Sequence, residues 1–297
     1  MSILDEFSRT ASSVLNTVAD SVVSVGRDGR GTGLVVGDGK VLTNAHNLRD
    51  RTTTVTFADV RVADAVVAGV DEDGDLVVLD VDTGGAQPVS WAERTPQAGD
   101  LVFAASRGGH RLRVSLGMIS AIDLAFTGPR GRQVRGGVEH TAALPHGSSG
   151  GPLLDRDARV LGVNTHRVGS GFYVARPVDH ALRATIGDLT AGRSVERPQL
   201  GVALAPTGVA AKLRASVGLP AREGLLVRGV SPEGPAARAG IEVGDLLVEI
   251  NGIPLDTIDA LQDALGNDPT ATLQLSVVRG TDERIVDVQL RRDDGPS

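Results

Sequence analysis

The chain has 297 residues, 41% of them apolar, and a formal net charge of −7 from 30 basic and 37 acidic side chains. Single compact cores usually serve about 100 to 200 residues, so two domains are expected. The lack of cysteine excludes disulfides, thiolate nucleophiles and cysteine-based metal sites. The acidic balance, with no long basic run, argues against nucleic acid as a partner, and no stretch approaches the ~18 apolar residues of a membrane span.

In chain order, Ile3, Phe7, Ala11, Val14, Leu15 and Val18 recur at helical spacing, and Ser2 followed by Asp5 resembles a capping pattern. An amphipathic helix is expected over residues 1–20, its apolar face packed on its own domain or on a neighbouring subunit. Met1 to Arg9 lacks the basic head and apolar run of a secretory signal, so either the protein is cytoplasmic or its targeting part is missing. Residues 21–193 carry short Val-rich runs, such as Ser21 to Val25, Gly33 to Val36 and Arg159 to Val163, punctuated by Gly, Asp and Pro. Five Phe, one Trp and one Tyr against 38 Gly favour the same reading, an all-β barrel or sandwich. The polar stretch ending at Pro198 marks a linker over residues 194–198. Over 199–293, strand-like runs (Gly224 to Val230, Leu246 to Ile250, Leu273 to Val278, Ile285 to Leu290) alternate with helical ones (Pro235 to Ala239, Thr257 to Leu265), an α+β pattern.

The segment Pro145-His146-Gly147-Ser148-Ser149-Gly150-Gly151-Pro152-Leu153 flanks a serine with glycines, whose backbone freedom can push a hydroxyl outward and turn successive N–H groups toward one point. If Ser149 attacks a carbonyl, the N–H groups of Gly147 and Ser149 are the natural oxyanion donors. A serine hydroxyl needs a base, and histidine is the usual one. Among six histidines, His46 closes an apolar strand at a small-residue turn, whereas His110, His140, His146, His166 and His180 lack that setting. Among Asp71, Asp73, Asp75, Asp80 and Asp82, only Asp75 runs directly into an apolar strand, Leu76 to Leu79, where a carboxylate can be buried beside a histidine. Spacing alone leaves the triad open, because triads are defined by geometry and not by chain order.

Taken together, Thr43-Asn44-Ala45-His46, Asp75-Leu76-Val77-Val78-Leu79 and Gly147-Ser148-Ser149-Gly150-Gly151-Pro152-Leu153 resemble the trypsin-like serine proteases of the HtrA family. Further on, Leu200-Gly201-Val202, Gly224-Leu225-Leu226-Val227, the stretch Ser231 to Ile241 and Gly244 to Gly252 are similar to the PDZ domains attached to such proteases. The resemblance implies a mainly β chain, with a chymotrypsin-like double β-barrel followed by a smaller α+β PDZ domain. It makes His46 the base, Asp75 its orienter, Ser149 the nucleophile, and Gly147 and Ser149 the oxyanion donors. It assigns Ala143, Leu144, Gly162, Val163 and Asn164 to the substrate pocket. Leu200, Gly201 and Val202 would receive a peptide carboxylate, with Ile258 and Leu261 on a helix beside the groove.

The sequence departs from the family pattern at Ser148, where Asn is common, and at His140-Thr141, which replaces Thr-Asp. A loop with Arg130, Arg132 and Arg135 falls where relatives sense activating signals. Ala142, Ala143 and Leu144 offer no acid to a basic side chain, so small or medium aliphatic residues are expected at the cleavage site. The expected activity is serine endopeptidase action on unfolded or misfolded proteins, with no metal and no organic cofactor. Expected partners are such proteins and peptides, C-terminal peptides at the PDZ domain, and two further copies in a homotrimer. Family analogy puts the work outside the cytoplasm. Two competing readings are a non-catalytic chaperone or peptide-binding module on a protease fold, and an esterase on another fold. The second lacks the Gly-x-Ser-x-Gly elbow among alternating strands and helices.

Overall fold

The structure, a computed structural model, describes residues 2–127, 133–195, 198–266, 268 and 270–290. Arg130 and Arg132 of the basic loop, Glu196 and Arg197 of the expected linker, and residues 291–293 lie outside the described residues. The chain divides into two compact units, Met1–Val195 and Glu196–Ser297.

The first unit opens with helix α1 (Ile3–Val18). A capping box starts it, with the Ser2 hydroxyl accepting from Leu4 N–H and Asp5 accepting from Ser2 N–H. Only its C-terminal half is buried: Val14 and Val18 join the core and Ala11 packs against it, while Ile3, Leu4 and Phe7 remain exposed. Strands β1 (Val22–Val25), β2 (Gly31–Gly37), β3 (Lys40–Thr43), β4 (Thr52–Thr56), β5 (Val62–Asp71) and β6 (Leu76–Val81) close a barrel in the order β1-β2-β3-β6-β5-β4. Strands β7 (Leu101–Gly108), β8 (Arg111–Thr127), β9 (Gln133–His140), β10 (Pro152–Leu154), β11 (Val160–Val168) and β12 (Phe172–Pro177) close a second, in the order β10-β11-β12-β9-β8-β7. Helix α2 (His180–Thr190) follows.

The two-residue period of a strand explains how these barrels meet. Along β6, Val77, Leu79 and Val81 fill the first barrel, whereas Leu76 and Val78 face the other way. The outward set meets Phe103, Ala105, Leu154, Val160 and Val163 of the second barrel and Leu182, Ile186 and Leu189 of α2 in one continuous core. A strand buried on both faces reads as an unbroken apolar run, and Leu76 to Leu79 does. Helix α2 was not foreseen in the β-rich reading, although Leu182, Ile186 and Leu189 keep helical spacing and Asp179 caps its start by accepting from Leu182 N–H.

The second unit contains β13 (Val202–Ala205), α3 (Thr207–Ser216), β14 (Leu225–Val230), α4 (Pro235–Arg238), β15 (Leu246–Ile250), β16 (Ile253–Pro254), α5 (Ile258–Leu265), β17 (Thr272–Arg279) and β18 (Asp282–Gln289). The sheet runs β13-β14-β15-β17-β18, with β16 paired to β15. Asp245 is buried at its side, where its carboxylate takes bonds from Arg279 at 2.7 and 2.9 Å, from Arg284 at 3.3 Å and from the Glu242 N–H at 2.9 Å. Burial, the largest single influence, would raise the Asp245 carboxyl, but the Arg279 bonds, the Glu242 N–H and the Arg279 and Arg284 charges together outweigh it and hold the group below the usual carboxylate range. Asp245→Asn removes a charge-assisted pair anchoring β17 to the turn before β15. It is expected to lower the urea midpoint of this unit. Urea unfolding followed by circular dichroism checks it, and an unchanged midpoint contradicts the role.

Candidate active site

The pairing of β3 with β6 brings the two first-barrel residues together. The strands are antiparallel with Thr43 opposite Val77, so the chain leaving β3 lies beside the chain entering β6. His46 occupies a single 3-10 turn, Ala45–Asn47, just past β3, and Asp75 immediately precedes β6. Asp75 has φ 56°, in the left-handed region that Asp and Asn tolerate better than most residues. Asn44 Nδ2 donates to the Asp75 carbonyl at 2.8 Å, and Arg176 of the second barrel bonds the Gly74 carbonyl, so the turn is held from both barrels.

The Asp75 side chain is fully buried. Its Oδ2 lies 2.7 Å from His46 Nδ1 and accepts from Thr165 Oγ1 at 3.0 Å, and its Oδ1 accepts from the His46 N–H at 3.0 Å. A carboxylate can only accept, so it fixes the tautomer that carries the proton on Nδ1 and leaves Nε2 as the basic atom.

Ser149 sits in the loop between β9 and β10. Gly147 and Gly150 have φ of 80° and 87°, and a Cβ on either would run into first-barrel backbone, the Gly29 carbonyl for one and the Thr32 carbonyl for the other. Glycine therefore lets this loop dock closely against the other barrel. Thr32 N–H and Asn47 Nδ2 donate to the Ser149 carbonyl at 2.9 and 2.8 Å, and Thr32 Oγ1 donates to that of Gly147 at 2.8 Å. With those carbonyls engaged, the N–H groups of Gly147 and Ser149 have no acceptor among the described residues. The Ser149 hydroxyl donates to the Thr165 carbonyl at 3.0 Å. Thr165, on β11, thus touches both halves of the cluster, through its hydroxyl to Asp75 and its carbonyl to Ser149. It was not among the residues singled out from sequence, although it directly follows Asn164.

A cleft of about 130 Å³ opens beside Ser149, lined by Leu144, Asn164, Tyr173, Arg167 and the loop Pro145–Ser149 among others. Of the residues assigned to the pocket, Leu144 and Asn164 line it. Ala143 is exposed on the loop and does not, while Val163 is buried in the shared core and Gly162 is packed against β12. Ala142, on which the expectation of an aliphatic preference partly rested, is buried inside the second barrel. Behind the cleft lies His140, fully buried, its ring stacked on Tyr173 at 5.7 Å and its Nε2 2.9 Å from Asn164 Oδ1. Burial pushes the His140 pKa from 6.5 to about 4.

In the second unit, Leu200 is buried, Gly201 has φ 73° and Val202 begins β13, the edge strand of the sheet. Leu261 belongs to the core of that unit, as does Leu265, whereas Ile258 is half-buried at its margin.

Two closed six-stranded barrels with a Ser, His and Asp cluster at their junction define a trypsin-like, chymotrypsin-fold peptidase domain, here followed by a PDZ domain. A family model for the trypsin-like peptidase domain matches residues 31–163 and one for the PDZ domain matches residues 226–279. A Halomonas elongata protein named "Probable periplasmic serine endoprotease DegP-like" is 33% identical over 268 residues, covering 87% of this chain and 55% of its own length. The serine endoprotease DegS of Escherichia coli is 28% identical over 274 residues, covering 83% of this chain and 76% of its own. A crystal structure of the serine endoprotease from Yersinia pestis superposes with a TM-score of 0.66 at 26% identity, covering 94% of this chain and 96% of that one. The chain belongs to the HtrA family. It spans little more than half the length of the Halomonas relative.

Proposed function

We propose that the protein is a serine endopeptidase acting on unfolded polypeptide through an acyl-enzyme. One observation carries the reading: Thr165 ties the buried Asp75, paired with half-buried His46, to the Ser149 hydroxyl, so base, orienting acid and nucleophile form one connected cluster. In this reading the Ser149 hydroxyl turns from the Thr165 carbonyl to His46 Nε2, which takes its proton as the oxygen attacks a peptide carbonyl. Gly147 and Ser149 N–H groups receive the oxyanion, and His46 returns the proton to the leaving amine. Asp75 stabilises the imidazolium while staying ionised.

The edge position of β13 supports recognition of C-terminal peptides by strand addition, with the carboxylate at Leu200 to Val202 and a side chain near Ile258. The periplasmic naming of the Halomonas relative supports work outside the cytoplasm. Assembly as a homotrimer draws on the family resemblance and on the exposed Ile3, Leu4 and Phe7 of α1. The resting bond from Ser149 to Thr165 favours a second reading, a peptide-binding module whose hydroxyl never engages His46.

Incubation with a fluorophosphonate probe and with unfolded casein separates the two. The expected result is a probe adduct on Ser149, located by mass spectrometry, and casein cleavage that the probe abolishes. Absence of both, with peptide offered to the PDZ domain, would favour the binding module.

A further inference from the structure

The cleft beside Ser149 has a polar floor that the apolar approach to the loop does not suggest. Most polar side chains around it are committed within the protein. Tyr173 donates to the Leu144 carbonyl at 3.0 Å, Ser148 donates to that of Pro145 at 2.6 Å, and Thr165 donates to Asp75. Asn164 differs. It lines the cleft and is only 3% exposed, and its Oδ1 is held by His140, yet its Nδ2 has no partner among the described residues.

The orientation of this amide sets which Asn164 atom is free. With Nε2–H donating to Asn164 Oδ1, the unpaired ring atom is the bare Nδ1, an acceptor. The reversed amide would instead leave the ring Nδ1–H and the amide oxygen unpaired, so the pairing of Nε2 with Oδ1 is what leaves Asn164 with a free donor. Burial keeps His140 neutral near pH 7, consistent with a single proton on the ring. Among the described residues no carboxylate lines the cleft, whereas Arg167, His146 and His166 do, and the Arg167 guanidinium lies 5.8 Å from the Tyr173 ring centre.

We propose that this cleft receives the side chain on the acyl side of the scissile bond and selects one bearing a carbonyl or carboxylate oxygen, glutamine or glutamate foremost, to accept from Asn164 Nδ2. The proposal rests on the serine endopeptidase reading. An aliphatic side chain would close the cleft over Asn164 and leave its buried donor unpaired. Sites built to bond a polar group reject analogues that lack it far more strongly than apolar pockets reject a missing methylene. His140 is a positioning residue: stacked on Tyr173, it holds Asn164 Oδ1 and so points Nδ2 away from itself.

The test uses the full chain and quenched-fluorescent peptides that differ only at that position, carrying Gln, Glu or the near-isosteric Met. The expected result is a kcat/KM for Gln or Glu about tenfold or more above Met. Gln ahead of Glu means the neutral floor dominates, and Glu ahead means Arg167 and His146 add to it; both support the proposal. Asn164→Leu should reverse the order, and His140→Phe, which keeps the ring against Tyr173, should shrink the Gln to Met ratio, a readout that general loosening would not move selectively. Met equal to or above Gln and Glu in the parent, with Ser149 labelled by fluorophosphonate, overturns this inference and leaves the endopeptidase standing. No cleavage and no labelling overturns both.

Discussion

Asp75→Asn is expected to lower kcat for peptide hydrolysis by about 10⁴-fold, while folding and peptide affinity change little. The carboxylate accepts from His46 Nδ1, from the His46 N–H and from Thr165 Oγ1, and every one of these contacts needs an acceptor. A carboxamide has one accepting oxygen and one donating nitrogen. If its nitrogen faces Nδ1, the ring must carry its proton on Nε2, the atom that should receive the Ser149 proton. If its nitrogen faces the His46 N–H, two donors oppose each other and the turn shifts. Asparagine also tolerates the positive φ of this position, so backbone strain adds little to the effect. Steady-state kinetics on a quenched peptide, beside thermal unfolding of both proteins, checks it. A variant within tenfold of the parent would mean that His46 is not the base oriented by Asp75.

The first barrel was the part most open to reading. The run Leu76 to Leu79 is apolar on both faces because one face fills a barrel and the other fills the seam, so its signal does not fade every second residue. That same run singled out Asp75, the acid at its head. The capping box at Ser2 was likewise visible, but the depth to which α1 is buried was not. Ile3 and Phe7 fit the apolar stripe as well as Val14 and Val18, and only tertiary contacts distinguish them. Helix α3 escaped notice for another reason. It buries Ala210 and Arg214, and Arg214 makes that possible by donating to the carbonyls of Pro220 and Gly280 at 3.3 and 3.1 Å, the second of them distant in sequence. The cleft floor was harder still. Leu144, Asn164, Tyr173 and His140 come from four places in the chain, and what matters at Asn164 is which of its atoms lacks a partner. No local pattern encodes that.

His140 also predicts how the first unit responds to acid. Its pKa is about 4 in the folded chain, where burial disfavours the charged ring despite the opposing pull of the Asn164 bond and Glu139, and near 6.5 once unfolded. Between those values the unfolded chain binds a proton that the folded chain refuses, so stability falls as pH drops from about 7 toward 4 and this contribution is flat outside that window. A shift of that size corresponds to about 3 kcal/mol. The chain has a single tryptophan, Trp91, which packs against the core of the first unit, so its fluorescence follows that unit's unfolding in urea without interference from the other. Carboxylates protonate in part of the same range, and the difference between proteins isolates the histidine. His140→Phe, which keeps an aromatic ring beside Tyr173 but cannot titrate, should lose about 3 kcal/mol less than the parent between pH 7 and 4. Equal losses in the two proteins would mean that His140 gains its proton in the folded state as readily as in the unfolded one. The floor beneath the cleft would then carry a charge at mildly acidic pH instead of staying neutral.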